Sequence, residues 1–125
     1  MEIIETKNAP AAIGPYSQAI RLGAMVYTSG QIPIDPNTGS IEETSIEGQT
    51  QQVIKNLSAV LTAAGSCLEN VVKTTCFLRH MSDFAAFNEI YAKAFPGKPA
   101  RSCVEVSALP KGALVEIEVI AKAGE

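Results

Sequence analysis

A chain of 125 residues can build one hydrophobic core but not two, so we expect a single domain over residues 1–125. The formal net charge of −3, with ten Lys and Arg scattered and not interleaved with aromatic residues, makes nucleic acid an improbable partner. Only 18% of the residues are charged and 46% are hydrophobic, which suggests that part of the surface is buried against further copies of the chain.

The sequence also indicates the cellular compartment of the protein. No apolar run approaches the ~20 residues that cross a bilayer, and the opening MEIIET lacks the basic and apolar regions of a secretory signal. We therefore expect a cytoplasmic protein without a membrane partner. Cys67, Cys76 and Cys103 are odd in number and form no C-x-x-C pair, which favours reduced thiols. With His80 as the single histidine, no metal site is expected.

The N-terminal third predicts β-structure. Met1–Thr6 is typical of a short edge strand, and the Pro-, Gly- and Ala-rich segment Asn8–Tyr16 is irregular. Gln18–Leu22 and Ala24–Ser29 then predict a hairpin that turns near Gly23.

Two positions in this third are candidates for ligand contact. Gly30, directly after Ser29, allows a backbone N–H to approach a ligand closely, but an ordinary strand-ending turn would also explain it. Tyr16 closes the irregular segment, where a tyrosine more commonly sits at the rim of a core. The residues alone leave both roles open.

A helix and a strand follow. The spacing Thr44-x-x-Glu47 predicts a capping box, and apolar residues at three- and four-residue steps continue until Gly65 ends the helix. The β-branched and aromatic run Val71–Leu78 predicts the next strand.

A second helix begins at Ser82-Asp83, and the breaker-rich segment 95–99 ends it. Its apolar residues share one face: Phe84, Phe87, Tyr91, Ala94 and Phe95. We expect Phe84 and Phe87 to belong to the core.

Two further strands, Ala100–Val106 and Leu114–Ala121, are joined by the turn-rich segment 107–113. We expect them to pair as antiparallel neighbours. Alternation places Arg101, Cys103 and Glu105 on one face of the first strand, with Val104 on the other.

On the last strand, Glu116 and Glu118 point away from an apolar face. If the apolar faces of both strands are buried together, these carboxylates share a face with Arg101 and Cys103. A register that places Cys103 opposite Glu116 would bring Arg101 near Glu118. The simpler interpretation is an ordinary solvated sheet face.

The resulting order is β-β-β-α-β-α-β-β. Each helix lies between strands, so the sequence predicts an α/β (α+β) fold in which both helices cross one face of a single mixed six-stranded sheet. The other face of the sheet is left uncovered.

The chain resembles one known family over nearly its whole length. NAPAAIGPYSQA at Asn8–Ala19, SGQIP at Ser29–Pro33, VVKTTCFL at Val71–Leu78 and the stretch Pro99–Ala121 are similar, in order, to blocks of the Rid/YjgF family of reactive-intermediate (enamine/imine) deaminases. The resemblance implies a chorismate-mutase-like fold, a homotrimer around a central barrel, ligand sites in the clefts between subunits, and no cofactor.

The resemblance also implies roles for particular residues. Arg101 matches the arginine that binds the substrate carboxylate, although an ion pair with Glu118 or Glu105 is the alternative. Glu116 matches the catalytic glutamate that orients and deprotonates water, and Glu118 is taken as structural. Cys103 matches a cysteine whose backbone groups, rather than its sulfur, hold ligand and water.

Four further positions match the wall and floor of the family's cleft. Tyr16 matches a tyrosine that hydrogen-bonds the substrate, and Ser29 with Gly30 matches the polar floor. Asn88 matches an asparagine near the ligand, and a solvated helix residue is the alternative.

The function implied by the resemblance is hydrolysis of a 2-imino acid to a 2-keto acid and ammonia. Two other classes of function remain possible from the sequence. The chain could bind keto or amino acids without catalysis, using the same Arg101. Endoribonuclease or translation-inhibitor activity is also attributed to the family, but the acidic composition and the lack of a basic, aromatic strip argue against it.

Overall fold

A computed structural model describes residues 1–124 of the chain. It contains one six-stranded sheet, a two-stranded ribbon and two α-helices. Their bounds are β1 Glu2–Ile4, β2 Ala19–Leu22, β3 Met25–Thr28, β4 Ile34–Asp35, β5 Ser40–Ile41, α1 Ile46–Ala63, β6 Val71–Leu78, α2 Phe84–Ala94, β7 Ala100–Glu105 and β8 Val115–Lys122. Neither α1 nor α2 has the length and hydropathy to cross a membrane.

The strand order of the large sheet is β1-β2-β3-β8-β6-β7. β6 and β7 are parallel and every other pair is antiparallel, so the predicted mixed six-stranded sheet is confirmed. The ribbon β4–β5 was not predicted as strands, and the turn between them contains Gly39, with φ of 76°.

The predicted pairing of the last two strands is wrong. β6 lies between β7 and β8 and pairs with both of them. Residues 106–114 can span ~30 Å when extended, whereas passing one intervening strand requires only ~10 Å. The connection is therefore long enough to pass β6 and return to the sheet as β8.

The start of α1 also differs from the prediction. Ser45, not Thr44, is the N-cap, and its hydroxyl accepts a hydrogen bond of 3.0 Å from the Gly48 N–H. The end is as predicted: Gly65 has a φ of 77°, and its N–H donates to Thr62 while that of Ser66 donates to Leu61.

The core lies between the two helices and one face of the sheet. Its fully buried side chains include Val26, Val53, Leu57, Leu61, Leu78, Phe87, Val115 and Ile117. Phe87 is thus a core residue as expected, but Phe84 is 36% exposed, and its assignment to the core was wrong. The reason is that Phe84 begins α2 at the border of the sheet, beside Arg101.

The opposite face of the sheet carries no helix within residues 1–124, and we call it the open face. It exposes several large apolar side chains, namely Ile3, Leu22, Tyr27 and Val104. Its polar members include Glu116 and Glu118, which pair with β6 at Phe77 and Thr75.

The irregular segment before β2 is held by one buried side chain. The Gln18 amide oxygen accepts the Thr6 N–H at 2.7 Å, and its nitrogen lies within 3.4 Å of the carbonyls of Thr6, Ala9 and Pro10. All of these partners are main-chain groups, so the segment has a defined shape without regular secondary structure.

Candidate functional site

Arg101 lies on the helix-covered face of the sheet. It pairs in register with Thr74 of β6, which in turn pairs with the buried Val119 of β8. Paired residues share a face, so Arg101 and Cys103 project towards the helices, and the expectation that they share a face with Glu116 was wrong. The expected proximity to Glu118 fails for the same reason.

Residues of α2 surround the Arg101 guanidinium. Its Nη1 donates a 2.7 Å hydrogen bond to the Asn88 amide oxygen. Its central carbon lies 4.8 Å from the ring centre of Tyr91 and 5.5 Å from that of Phe84. The three partners follow a helical i, i+4, i+7 spacing and therefore form one face of α2.

This arrangement holds the charge without neutralising it. Aromatic faces attract a guanidinium through their quadrupole, and the amide of Asn88 is a neutral acceptor. Glu105, one possible ion-pair partner, accepts the Met81 N–H at 2.7 Å instead. A cavity of about 340 Å³ adjoins the guanidinium, and Asn88, Tyr91 and Lys98 contribute to its lining.

Cys103 lies two residues further along β7, on the same face and opposite Cys76. Burial raises the pKa of the Cys103 thiol, and the positive charge of Arg101 opposes this. Burial raises the pKa of Cys76 to about 12. Both sulfurs therefore carry protons at neutral pH, and neither is an activated nucleophile.

A second group of predicted residues gathers around Glu116. This carboxylate projects from the open face beside Gly30, where a methyl group would collide with its Oε2 atom. Backbone bonds between Gln31 and Ile117 hold the two segments together, with N···O distances of 2.8 and 3.2 Å. Burial, with a smaller contribution from the charge of Glu118, raises the pKa of Glu116.

Tyr16 and Ser29 flank this second group. Tyr16 shares a small recess with Gly30, is 47% exposed, and accepts the Ile13 N–H at its hydroxyl oxygen at 3.2 Å. The Ser29 hydroxyl donates to the Ser17 carbonyl at 2.5 Å, and this bond ties the end of β3 to the irregular segment.

The predicted site residues thus form two groups on opposite faces of one sheet. Asn88, Arg101 and Cys103 lie on the helix side, and Tyr16, Ser29, Gly30 and Glu116 lie on the open side. One chain cannot bring both groups to one small ligand.

Sequence reasoning missed two participants, Tyr91 and Phe84, because both were assigned to packing. The signal was present: they sit at helical spacing on either side of Asn88, the one polar site candidate on α2. Within residues 1–124, no three His, Cys, Asp or Glu side chains are grouped so that they could hold a metal ion.

Comparison with known proteins identifies the family. Residues 6–123 match the family model described as endoribonuclease L-PSP. A RutC family protein of Pyrococcus horikoshii is 55% identical over 121 residues, covering 96% of each chain. The 2-iminobutanoate/2-iminopropanoate deaminase of Salmonella typhimurium is 50% identical over 122 residues, covering 94% of each.

Solved structures agree in fold. Escherichia coli TdcF with bound serine has a TM-score of 0.94 and 44% identity, covering 99% of this chain and all of that one. The match spans almost every described residue, and two relatives, each 50% identical, are named as deaminases. The chain therefore belongs to the endoribonuclease L-PSP family, the Rid/YjgF proteins, as its sequence blocks predict.

Proposed function

We propose that this protein is a 2-iminobutanoate/2-iminopropanoate deaminase that hydrolyses reactive imines to 2-keto acids and ammonia. The observation that carries the proposal is the guanidinium of Arg101, whose described contacts within residues 1–124 are two aromatic rings and a neutral amide. It supplies a binding point for a small carboxylate. The Salmonella typhimurium relative of that name supports the choice of substrate.

Arg101 would bind the substrate carboxylate. A guanidinium has five N–H donors, and Asn88 engages Nη1, so the remaining donors can form a two-point contact with a carboxylate. Backbone groups at Cys103 would contact the same ligand from the neighbouring position on β7.

Glu116 would act on water. Its raised pKa makes it a better base than an ordinary carboxylate, and the carboxylate lies directly beside Gly30. The water oxygen would add to the imine carbon while Glu116 takes one of its protons. Glu116 would pass that proton to nitrogen as the C=N π bond opens, which gives a carbinolamine. The remaining hydroxyl proton would then move through the same carboxylate to nitrogen, so that the C=O bond forms, the C–N bond breaks and ammonia leaves. Tyr16 and the polar floor at Ser29 and Gly30 would hold the departing nitrogen.

The separation of the two groups calls for two copies of the chain. We propose a homotrimer in which Arg101 of one copy and Glu116 of the next line a shared cleft. The open face offers apolar surface for such an assembly, including Ile3, Leu22 and Val104. Imines of this class already hydrolyse in water, so positioning and proton transfer suffice and no cofactor is required.

The test is a coupled assay. A dehydratase generates the imine, and keto-acid formation is followed with and without this protein. We expect acceleration by the native protein and none by Arg101→Ala, while Lys55→Ala, which removes a positive charge from an exposed position on α1, leaves the rate unchanged. Full acceleration by Arg101→Ala would refute the proposal.

A second candidate is a binding protein without catalysis. The serine-bound TdcF structure favours it, because that neighbour holds a small amino acid. Such a protein would bind 2-oxobutanoate saturably through Arg101 and leave imine decay at the uncatalysed rate. The same assay, combined with calorimetric titration of 2-oxobutanoate, separates the two functions.

A further inference from the structure

The hydroxyl groups of Thr74 and Tyr91 share a hydrogen bond of 2.7 Å inside the protein. Thr74 is fully buried on β6, and Tyr91 is only 8% exposed on α2. Thr74 is also the residue that pairs with Arg101 across the β6–β7 ladder. The bond therefore connects the strand beside Arg101 to the aromatic ring on which its guanidinium rests.

The ring of Tyr91 is held by aromatic packing and by a hydrogen bond at its hydroxyl. Phe87 and Phe95 pack against it with centroid distances of 5.6 and 4.6 Å, and its hydroxyl is held by Thr74. The guanidinium carbon of Arg101 lies closer to this ring than to that of Phe84, at 4.8 against 5.5 Å. A tilt of the Tyr91 ring would therefore move the guanidinium.

We propose that Thr74 is a positioning residue for Arg101 and acts through the hydroxyl of Tyr91. The bond fixes the ring, the ring and Asn88 fix the plane of the guanidinium, and the guanidinium then presents its free N–H groups in one orientation. The inference rests on the proposed function, because it assumes that Arg101 binds a carboxylate.

Packing alone does not explain why two hydroxyl groups meet here. Replacing both partners of a buried hydrogen bond by apolar groups of the same shape is often nearly neutral for stability. A valine and a phenylalanine would fill the same space. What the polar pair adds is direction, since a hydrogen bond defines where the end of the ring lies.

The experiment compares Thr74→Val, Tyr91→Phe and the double variant with Thr74→Ser, which keeps the hydroxyl. Thr50→Val is the matched control: Thr50 is equally buried, and its hydroxyl donates to the Ile46 carbonyl, also at 2.7 Å, within α1. Binding of 2-oxobutanoate is measured by calorimetry well below the melting temperature. The kcat and KM of imine hydrolysis and the thermal stability are measured in parallel.

We expect Thr74→Val and Tyr91→Phe each to weaken 2-oxobutanoate binding and raise KM about tenfold, within the range that a misplaced binding group can cost. Thr74→Ser should retain native binding, and Thr50→Val should lose stability without losing affinity. In the double variant we expect stability near that of the native protein but affinity still reduced.

Two results separate the inference from the proposed function. Native affinity in Thr74→Val and Tyr91→Phe, while Arg101→Ala abolishes binding, would overturn the positioning role alone. Native affinity in Arg101→Ala would overturn the proposed function and the inference with it. If Thr74→Val does not fold, the affinities of Tyr91→Phe, which lacks the hydroxyl–hydroxyl bond, and Thr74→Ser, which keeps it, are compared instead.

Discussion

Arg101 and Glu116 belong to one sheet but project from its opposite faces. Arg101 shares a face with Thr74 and Val119, whereas Glu116 shares the other with Phe77, and β6 separates the two strands. A site that uses both groups must take them from different copies of the chain.

Complementation tests this relationship. Arg101→Ala and Glu116→Gln are each expected to be inactive alone. In a cyclic assembly of equal amounts of both, about a quarter of the sites would combine two native residues, so about a quarter of the native activity should return. If native mass spectrometry shows mixed assemblies that stay inactive, the shared site is wrong.

Asn88→Asp tests the electrostatics of the guanidinium. An aspartate in this place would form a charge-assisted bond with Arg101 and compete with the substrate carboxylate. We expect KM to rise about tenfold or more, with no loss of thermal stability. Asn37→Asp makes the same charge change in an exposed turn and should leave KM unaltered. Equal KM values in the two variants would contradict the proposed role of Arg101.

Gly30→Ala tests the contact with Glu116. The added methyl group would collide with the Glu116 carboxylate, a flexible group that can rotate away, so the fold should survive while the carboxylate moves. We expect a loss of kcat of about tenfold or more with a near-native circular dichroism spectrum. Gly97→Ala is the control, because among the described residues, its two chain neighbours aside, no heavy atom lies within 4 Å of the added methyl group. Native kcat in Gly30→Ala would show that the position of the Glu116 carboxylate is not critical.

Glu116→Gln gives a pH-dependent change in stability. Because burial and Glu118 raise the pKa of Glu116 above its ordinary value of 4.5, the folded protein binds this proton more tightly than the unfolded chain. The contribution of the Glu116 proton to the free energy of unfolding is fully present below pH 4.5 and is lost as pH rises through the raised pKa. At neutral pH the variant should melt up to about 4 °C higher than the native protein.

The difference between Glu116→Gln and the native protein should vanish near pH 4, where both side chains are neutral. Glu89→Gln makes the same chemical change at an exposed position of α2 and is the control in the same thermal scans. A difference that is constant across pH would mean that the pKa of Glu116 is unperturbed.

Cys103→Ser tests whether sulfur takes part in the chemistry. Since burial keeps the Cys103 thiol protonated at neutral pH, the variant should retain kcat/KM within about threefold. A loss of about a hundredfold, together with a covalent adduct detected by mass spectrometry, would identify a nucleophilic cysteine.

The sequence predicted where the helices and strands lie better than it predicted which strands pair and which sheet face is buried. Helix ends follow from local chemistry, so Gly65 was identified correctly and the cap was misplaced by only one residue, at Thr44 instead of Ser45. Alternation shows which side chains share a face of a strand, but not which face the helices cover. Val104, which alternation places on the face opposite Arg101, is 45% exposed.

The same limit applies to the site. Arg101 and Glu116 are site candidates through family resemblance, and each is partly buried. Their separation depends on the insertion of β6 between β7 and β8, which no local pattern records. Tyr91 was placed on the correct helix face, but its contacts with Thr74 and Arg101 join three elements and appear only in three dimensions.

The Gln18 amide has a consequence for how the segment that ends at Tyr16 can evolve. Because this side chain binds only main-chain groups of Thr6, Ala9 and Pro10, the path of that segment is independent of most of its side chains. Substitutions along it can alter the chemical character of the rim without changing its shape. Replacement of this one glutamine would instead remove the contacts at Thr6, Ala9 and Pro10 together.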